Sequence, residues 1–485
     1  MTQSTVSRPK FMSMLTYDDV QKIHATSLDI LEQVGITTKS QKIINIFRDH
    51  GANIHPTDGS IKIPNELVKD ALKKVPKETR LYGRNPSNEL ILERGRVYFG
   101  LGGTPLDQIV DLESGNPRAS TKKDVEDATR LGDSLQNYAF IMSIGGAFDA
   151  PHGTQHLHEL ETVFANTEKF VVWALPGAYN AKQAIRMASV VVGGMEELRR
   201  RPILSCYSES ISPLNFSTEN EDLIEFATAG MPVFFTGCPM MGVTGPATVS
   251  GTYALGNAET LAGLTLSQLV NPGTPFVYGP GVGVADLRNL RFSFAAPEYA
   301  MGHIIQSQMA EFYQIPTFGW GGCPDSKVAD TQAGAEAMLM SLMSALSGTN
   351  MIHCCGYLSG SQYGSMEMAV ICDEIAGMIQ RLLAGVDVDK ESLALDVVRE
   401  VGAKGNYLTH KHTRMHLRKE VFVPKLFDRE SESIWMSKGG KNIQETAKER
   451  VKKLLNEHHP SPLPEGTKAA LGRIVREAEK ELKAE

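Results

Sequence analysis

The chain has 485 residues, 42% hydrophobic and 22% charged, which is enough apolar content for a large core. A net charge of −7 with no basic stripe excludes nucleic acid as the main partner. No apolar run reaches membrane-spanning length without charge, and the N-terminal MTQSTVSRPKF lacks the apolar core of a signal peptide. Six cysteines with no CxxC pair predict a reduced, cytoplasmic setting rather than a disulfide framework.

In chain order, LTYDDVQKIHATSLDILEQVG opens with a Thr/Asp cap signal, carries apolar residues at helical spacing and ends in glycine. IPNELVKDALKKV is a second amphipathic helix. Residues 1–95 are expected to form an N-terminal helical segment packed beneath a main domain. From Arg96 a different rhythm begins. Eight short runs rich in Val, Ile, Phe and Tyr follow one another: RVYFG, YAFIMSIGG, KFVVWALPG, PILSCYSES, PVFFTGCPM, PFVYGPG, PTFGWGG and NMIHCCGY. Long helical patterns separate most of them, from HLHELETVFANTE to TQAGAEAMLMSLMSALSG, and SMEMAVICDEIAGMIQRLLAG follows the eighth.

Strands apolar on both faces imply a parallel sheet covered by helices. Eight strand–helix units predict a closed (β/α)8 TIM barrel over residues 96–385, because an open doubly wound sheet normally stops at five or six strands. Residues 386–485 turn to helices and charge, and are expected to form a C-terminal helical extension. Most of the twenty methionines sit at helical spacing and read as core filling.

A barrel places its ligand site at the C-terminal ends of its strands. The strand-end residues then include Tyr98, Trp173, Tyr207, Glu209, Cys238, Tyr278, Trp320, His353 and Tyr357. Rings among glycines suit a cation, which an aromatic face attracts by about 0.5–2 kcal/mol. Strand side chains alternate, so about half of such rings instead face the outer helices.

Metal and nucleotide signals are absent. His156 and His158 are two apart, and His412 and His416 sit among basic neighbours. No GxxxxGK[ST] occurs, and GPGVGV misses GxGxxG. Cys323 has no histidine partner visible in the sequence, so a small structural residue competes with a nucleophile there.

Several long blocks carry a resemblance: GPATVSGTYALGNAETLAG, DSKVADTQAGAEAML, SMEMAVICDEIAGM, SPLNFSTENEDLIEFATAGMPV and LALDVVREVGAKGNYLTHKHTRMHLRKE. They resemble the trimethylamine methyltransferase superfamily, over nearly the whole chain from about Leu15. The resemblance implies a (β/α)8 barrel and methyl transfer from an amine to the cobalt of a corrinoid on a separate small protein. Archetypal members carry pyrrolysine, whereas the region near Gly321–Cys323 holds ordinary residues. Pyrrolysine-free members resemble enzymes acting on quaternary amines, with glycine betaine the leading expectation and proline betaine or carnitine the alternatives. A barrel that binds a betaine without chemistry, and an amine enzyme using an ordinary acid such as Asp325 or His353, remain rival readings.

On this reading Tyr98, Trp173, Tyr278, Trp320 and Tyr357 form a cation cage. His353, with Arg291 and then Lys327 behind it, meets the betaine carboxylate. Asp325, Glu259 and Gln332 orient loops. The corrinoid (cobalamin) comes from its own carrier protein, since no DxHxxG motif is present, and no metal is held permanently. A homo-oligomer is allowed but not required.

Overall fold

All eight apolar runs fold into strands in the computed structural model, which describes residues 11–57 and 59–484. They are β1 (Tyr98–Leu101), β2 (Tyr138–Ile141), β3 (Phe170–Ala174), β4 (Leu204–Glu209), β5 (Val233–Thr236), β6 (Phe276–Tyr278), β7 (Phe318–Trp320) and β8 (Met351–Cys355). Most of the N-terminal stretch read for a leader lies outside the described residues. Neighbouring strands are all parallel, in the order β6-β5-β4-β3-β2-β1-β8-β7. The ring closes where the Tyr278 amide donates to the Pro316 carbonyl at 2.9 Å and Tyr278 pairs with Thr317. No sheet edge is left between β6 and β7, as a barrel requires.

Eight helices surround the strands: α1 (Lys122–Ser134), α2 (Gln155–Asn166), α3 (Gly177–Val192), α4 (Glu221–Ala229), α5 (Val249–Val270), α6 (Pro297–Tyr313), α7 (Thr331–Ser347) and α8 (Met366–Leu383). Thr121, Thr248, Asp330 and Ser365 cap α1, α5, α7 and α8 by accepting a backbone N–H of the first turn. Gly230 and Gly348 end α4 and α7 in the left-handed conformation, which glycine adopts without strain. The sequence reading places no helix between its first two strands, yet α1 lies there, preceded by an antiparallel hairpin of Gln108–Val110 and Pro117–Ala119. Its apolar stripe of Val125, Ala128 and Leu131 is narrow and set among charges, so the segment reads as polar on average.

The barrel interior is filled by Phe140, Phe170, Val172, Phe234, Val277, Phe318 and Met351. Leu81, Leu90 and Leu92 join them from a hairpin of Thr79–Tyr82 and Glu89–Leu92. This hairpin seals the N-terminal end of the strands, so access from below is closed. The helices Tyr17–Asp29 and Asn65–Lys74 pack on the outer side of α5. Ser27 ties the two layers together by donating to the Ala254 carbonyl at 2.8 Å. That second layer leaves α5 buried all round, which explains its near-uniform apolar reading. At the C-terminus, Ile443–Glu457 packs on α8 and α1, and Glu465–Ala484 on α2 and α3. Among the described residues no helix is long and apolar enough to cross a membrane.

Candidate functional site at the barrel mouth

A cavity of about 370 Å³ opens at the C-terminal ends of the strands. Its walls are the rings of Tyr207, Phe292, Phe294, Tyr299, Trp320 and Tyr357, with His353 and the carboxylate of Glu209. Tyr207 and Glu209 are two apart on β4, and alternation points both inward. Phe318 and Trp320 are likewise two apart on β7. Phe318 fills the barrel interior beneath, and Trp320 stands above it in the cavity wall. Gly281 makes room for the indole: a β-carbon there would lie 3.3 Å from it.

His353 and Cys354 are consecutive, yet both line the cavity. The β8–β1 register shifts between Ile352 and Cys355, and Cys354 sits at φ 66°, a left-handed value uncommon outside glycine. This bulge is what turns two adjacent side chains toward one space. The His353 ring stacks on Phe318, with centroids 4.1 Å apart and planes within 9°. The Cys354 sulfur lies 3.2 Å from His353 Nδ1, and His353 Nε2 has no hydrogen-bond partner. Burial pushes the Cys354 thiol well above its ordinary pKa and His353 well below its own. In the tautomer where the thiol donates to Nδ1, the imidazole proton sits on Nε2 and that N–H is left for a ligand.

Among the described residues, Glu209 is the lone carboxylate of the wall, and no lysine or arginine lines it. Glu209 is exposed to the open space of the cavity, with the walls of the barrel mouth crowded around its carboxylate. That desolvation raises its pKa above the ordinary carboxylate value, against the opposing effect of a hydrogen bond from the Tyr207 hydroxyl at 3.2 Å. Burial likewise raises the tyrosines and thiols of the wall, keeping them neutral. The one charge the space can present is therefore negative. The Tyr299 hydroxyl is buried beside the Cys238 thiol and adds a second neutral group able to donate.

Several expected cage residues lie elsewhere. Trp173 faces the helices and donates its Nε1–H to Glu159 at 3.1 Å, because Val172 takes the inward position on β3. Tyr278 also faces outward; its hydroxyl donates to Asn257 at 2.6 Å, and Val277 is the inward residue of β6. Tyr98 stands at the start of β1, at the closed end, with its hydroxyl against the Ile91 backbone. Arg291 is exposed and absent from the wall, although its loop delivers Phe292 and Phe294. Lys327 is exposed, and Gln332 bonds Glu336 on the outside of α7. Cys323 is buried behind the wall, with its thiol pushed up by desolvation.

Asp325 and Glu259 act on loops. Asp325 accepts from the Ser293 hydroxyl and from the Phe294 amide at 3.2 Å, anchoring the aromatic loop. Glu259 accepts from Ser210, Ser212 and Leu214, fixing the loop after β4. Asp325→Ala should free the Phe292–Phe294 wall. The expected result is a several-fold higher KM with a Tm lowered by only a few degrees, read from steady-state kinetics and thermal melts.

Among the described residues no group of histidines, cysteines and carboxylates could hold a metal ion. A hollow of about 400 Å³ at the opposite end lies beside Lys77, Arg94, Glu311 and Gln314, but it has no ring cluster, and Arg94 is paired with Glu311 at 2.6 Å. Fold and cavity together define an α/β-barrel protein with an aromatic pocket and one acidic group at its mouth. The trimethylamine methyltransferase (MTTB) family model matches residues 1–483, and the chain belongs to that family and is a methyltransferase.

Two relatives resemble it over nearly their whole length. A trimethylamine methyltransferase MttB of Desulfitobacterium hafniense DCB-2 is 34% identical, over 99% of this chain and 97% of its own. A glycine betaine methyltransferase of Desulfitobacterium hafniense Y51 is 33% identical, over 98% of each. The crystal structure of the Methanosarcina barkeri monomethylamine methyltransferase MtmB superposes with a TM-score of 0.47 at 14% identity, over 92% of this chain and 95% of that one.

Proposed function

We propose that this methyltransferase takes a methyl group from a quaternary amine, glycine betaine first among them, and passes it to a corrinoid carried by a separate protein in the cytoplasm. The observation that carries this reading is the aromatic cavity with one carboxylate and no basic side chain. A quaternary ammonium has no N–H to donate, so ring faces and a nearby carboxylate are its natural hosts.

The corrinoid, when its carrier docks, supplies the nucleophilic cobalt(I). Every other requirement falls on this chain. The ammonium head is held among Tyr207, Trp320 and Tyr357 with Glu209 beside it. The C–N bond breaks with its electron pair staying on nitrogen, so the departing tertiary amine is neutral and needs no acid. The Cys354–His353 pair of the wall is not required as nucleophile and base, since burial holds the thiol protonated and the imidazole neutral. Aiming the methyl carbon and excluding water are what the pocket contributes. The betaine carboxylate is met by neutral donors, the Nε2–H of His353 and the Tyr299 hydroxyl. The rim supports docking of a carrier: Phe148, Ile211, Val243, Leu287, Leu290 and Val328 are exposed apolar residues from five different strand-to-helix loops.

A second reading has a specific support. Without a lysine or arginine in the wall, a quaternary amine lacking a carboxylate fits as well. The test is a panel of glycine betaine, proline betaine, carnitine, tetramethylammonium and trimethylamine, each given with a reduced corrinoid carrier, with the demethylated amine measured by mass spectrometry. Turnover of glycine betaine to dimethylglycine is expected. Turnover of tetramethylammonium alone selects the second reading, and turnover of trimethylamine alone overturns both.

A further inference from the structure

Behind the ring wall of the cavity lies a side chain that does not itself reach the open space. His303, on α6, is 1% exposed. Tyr299, which does line the cavity, is four residues earlier, so the two rings share one face of the helix. Their centroids are 4.8 Å apart, with planes at 67°. The same imidazole stacks on the Trp320 indole at 5.7 Å, with planes at 25°. Ser344 on α7 donates to the Trp320 carbonyl at 2.6 Å, which fixes the backbone and leaves the tilt of the indole to its ring neighbours. His303 is anchored in turn. Gln306 lies three residues on, and its Nε2 donates to Thr317 Oγ1 at 2.8 Å and to the Phe318 carbonyl, tying α6 to β7. Gly319 leaves room for both side chains: a β-carbon there would lie 3.2 Å from Gln306 Oε1 and 3.7 Å from His303 Nδ1. Burial pushes the His303 pKa down to about 4, so the ring is neutral at ordinary pH.

We propose that His303 is a positioning residue for the methyl transfer: acting through Trp320 and Tyr299, it fixes the tilt of the rings that receive the ammonium head. This rests on the reading that the cavity holds the quaternary amine. Tilt matters because the attraction requires the cation to lie over a ring face. A ring that rocks presents its edge, where the quadrupole is positive. A flat neighbour stacked on the indole limits that rocking, and a flexible aliphatic one does not. Neutrality matters as well. An imidazolium against the indole would draw on the same π electrons and repel the bound cation across a low-dielectric interior. Packing alone does not account for a histidine here, because an apolar ring would fill the space without desolvating a polar one.

The test compares His303→Leu with His303→Phe, using glycine betaine and tetramethylammonium with a reduced corrinoid carrier. His303→Leu should raise KM at least about fivefold while kcat stays within about twofold. His303→Phe keeps a flat neutral ring and should raise KM no more than about twofold. His303→Met is a second aliphatic variant with the same expectation as Leu, should the latter fail to fold. In a Trp320→Ala background the cost of His303→Leu should shrink to under about twofold, because the indole through which it acts is gone. Additive costs in that cycle overturn the proposal, and so does a rise in His303→Leu no larger than in His303→Phe. Near-ultraviolet circular dichroism of the ligand-free protein reads the order of the rings without any substrate. The band lost in Trp320→Phe should be lost in His303→Leu and kept in His303→Phe. If the wild type turns over neither amine, the reading of the cavity fails, and the dichroism alone then decides: a Trp320 band that survives His303→Leu overturns the positioning role.

Discussion

Glu209→Gln is expected to raise KM for a quaternary amine by about tenfold or more, on the order of 1.4 kcal/mol, while kcat holds or rises. The split follows from where charge resides. The ammonium is fully positive in the bound ground state, and its charge leaves nitrogen as the C–N bond breaks. A carboxylate beside it therefore favours the ground state more than the transition state. Removing that attraction weakens capture without slowing the chemical step. The pH dependence has a definite sign. Burial lifts the Glu209 pKa above the ordinary carboxylate range, so the group is neutral up to a higher pH than usual. Grip on the cation is absent below that pKa and appears as pH rises through it, so wild-type KM should fall with rising pH and the Gln variant should be flat. Stability of the ligand-free protein runs the other way. The folded state holds this proton more tightly than the unfolded one, so Glu209 lowers stability as pH climbs from its unfolded to its folded pKa. A bound cation offsets that loss. A large loss of kcat in the Gln variant, matched by loss of wild-type kcat on one side of the Glu209 pKa, would instead make Glu209 an acid or base in the reaction.

The barrel was legible because its signal is long-range and repetitive. Eight apolar runs in unbroken series favour a closed parallel sheet over an open one, and they form a closed ring. The site was legible only in part, because strand-end position does not settle which way a side chain points. Trp320 and Trp173 both close aromatic runs, yet one lines the cavity and the other the helix layer. Parity could have separated them: Phe170 and Val172 share the inward face of β3, which sends Trp173 outward. Parity fails at His353 and Cys354, where the bulge brings neighbours to one side, and a bulge leaves no mark in a single sequence. Phe292, Phe294 and Tyr299 were missed for another reason. They come from a long loop after β6 and the first turn of α6, and only the fold, with Asp325 as anchor, carries them over the mouth.

Trp320→Ala is expected to raise KM for a quaternary amine by about tenfold and to lower stability by roughly 3–5 kcal/mol. The indole is 5% exposed and packs between Tyr299 at 5.6 Å, His353 at 5.3 Å and His303, which stacks behind it at 5.7 Å. Its removal therefore empties core volume as well as one wall, and the two losses have to be separated. Trp320→Phe keeps most of the packing and a weaker ring face, so its KM should rise only a few-fold with a much smaller change in Tm. Trp173→Phe is the matched control. It loses the hydrogen bond to Glu159 and some packing in the helix layer, and should lower Tm with KM unchanged. The ratio of affinity loss to stability loss then distinguishes the two tryptophans: large at 320 and near zero at 173. If the Trp173 change weakened capture as much as the Trp320 changes did, capture would track barrel stability, and the ring wall would not be the feature that grips the ammonium head.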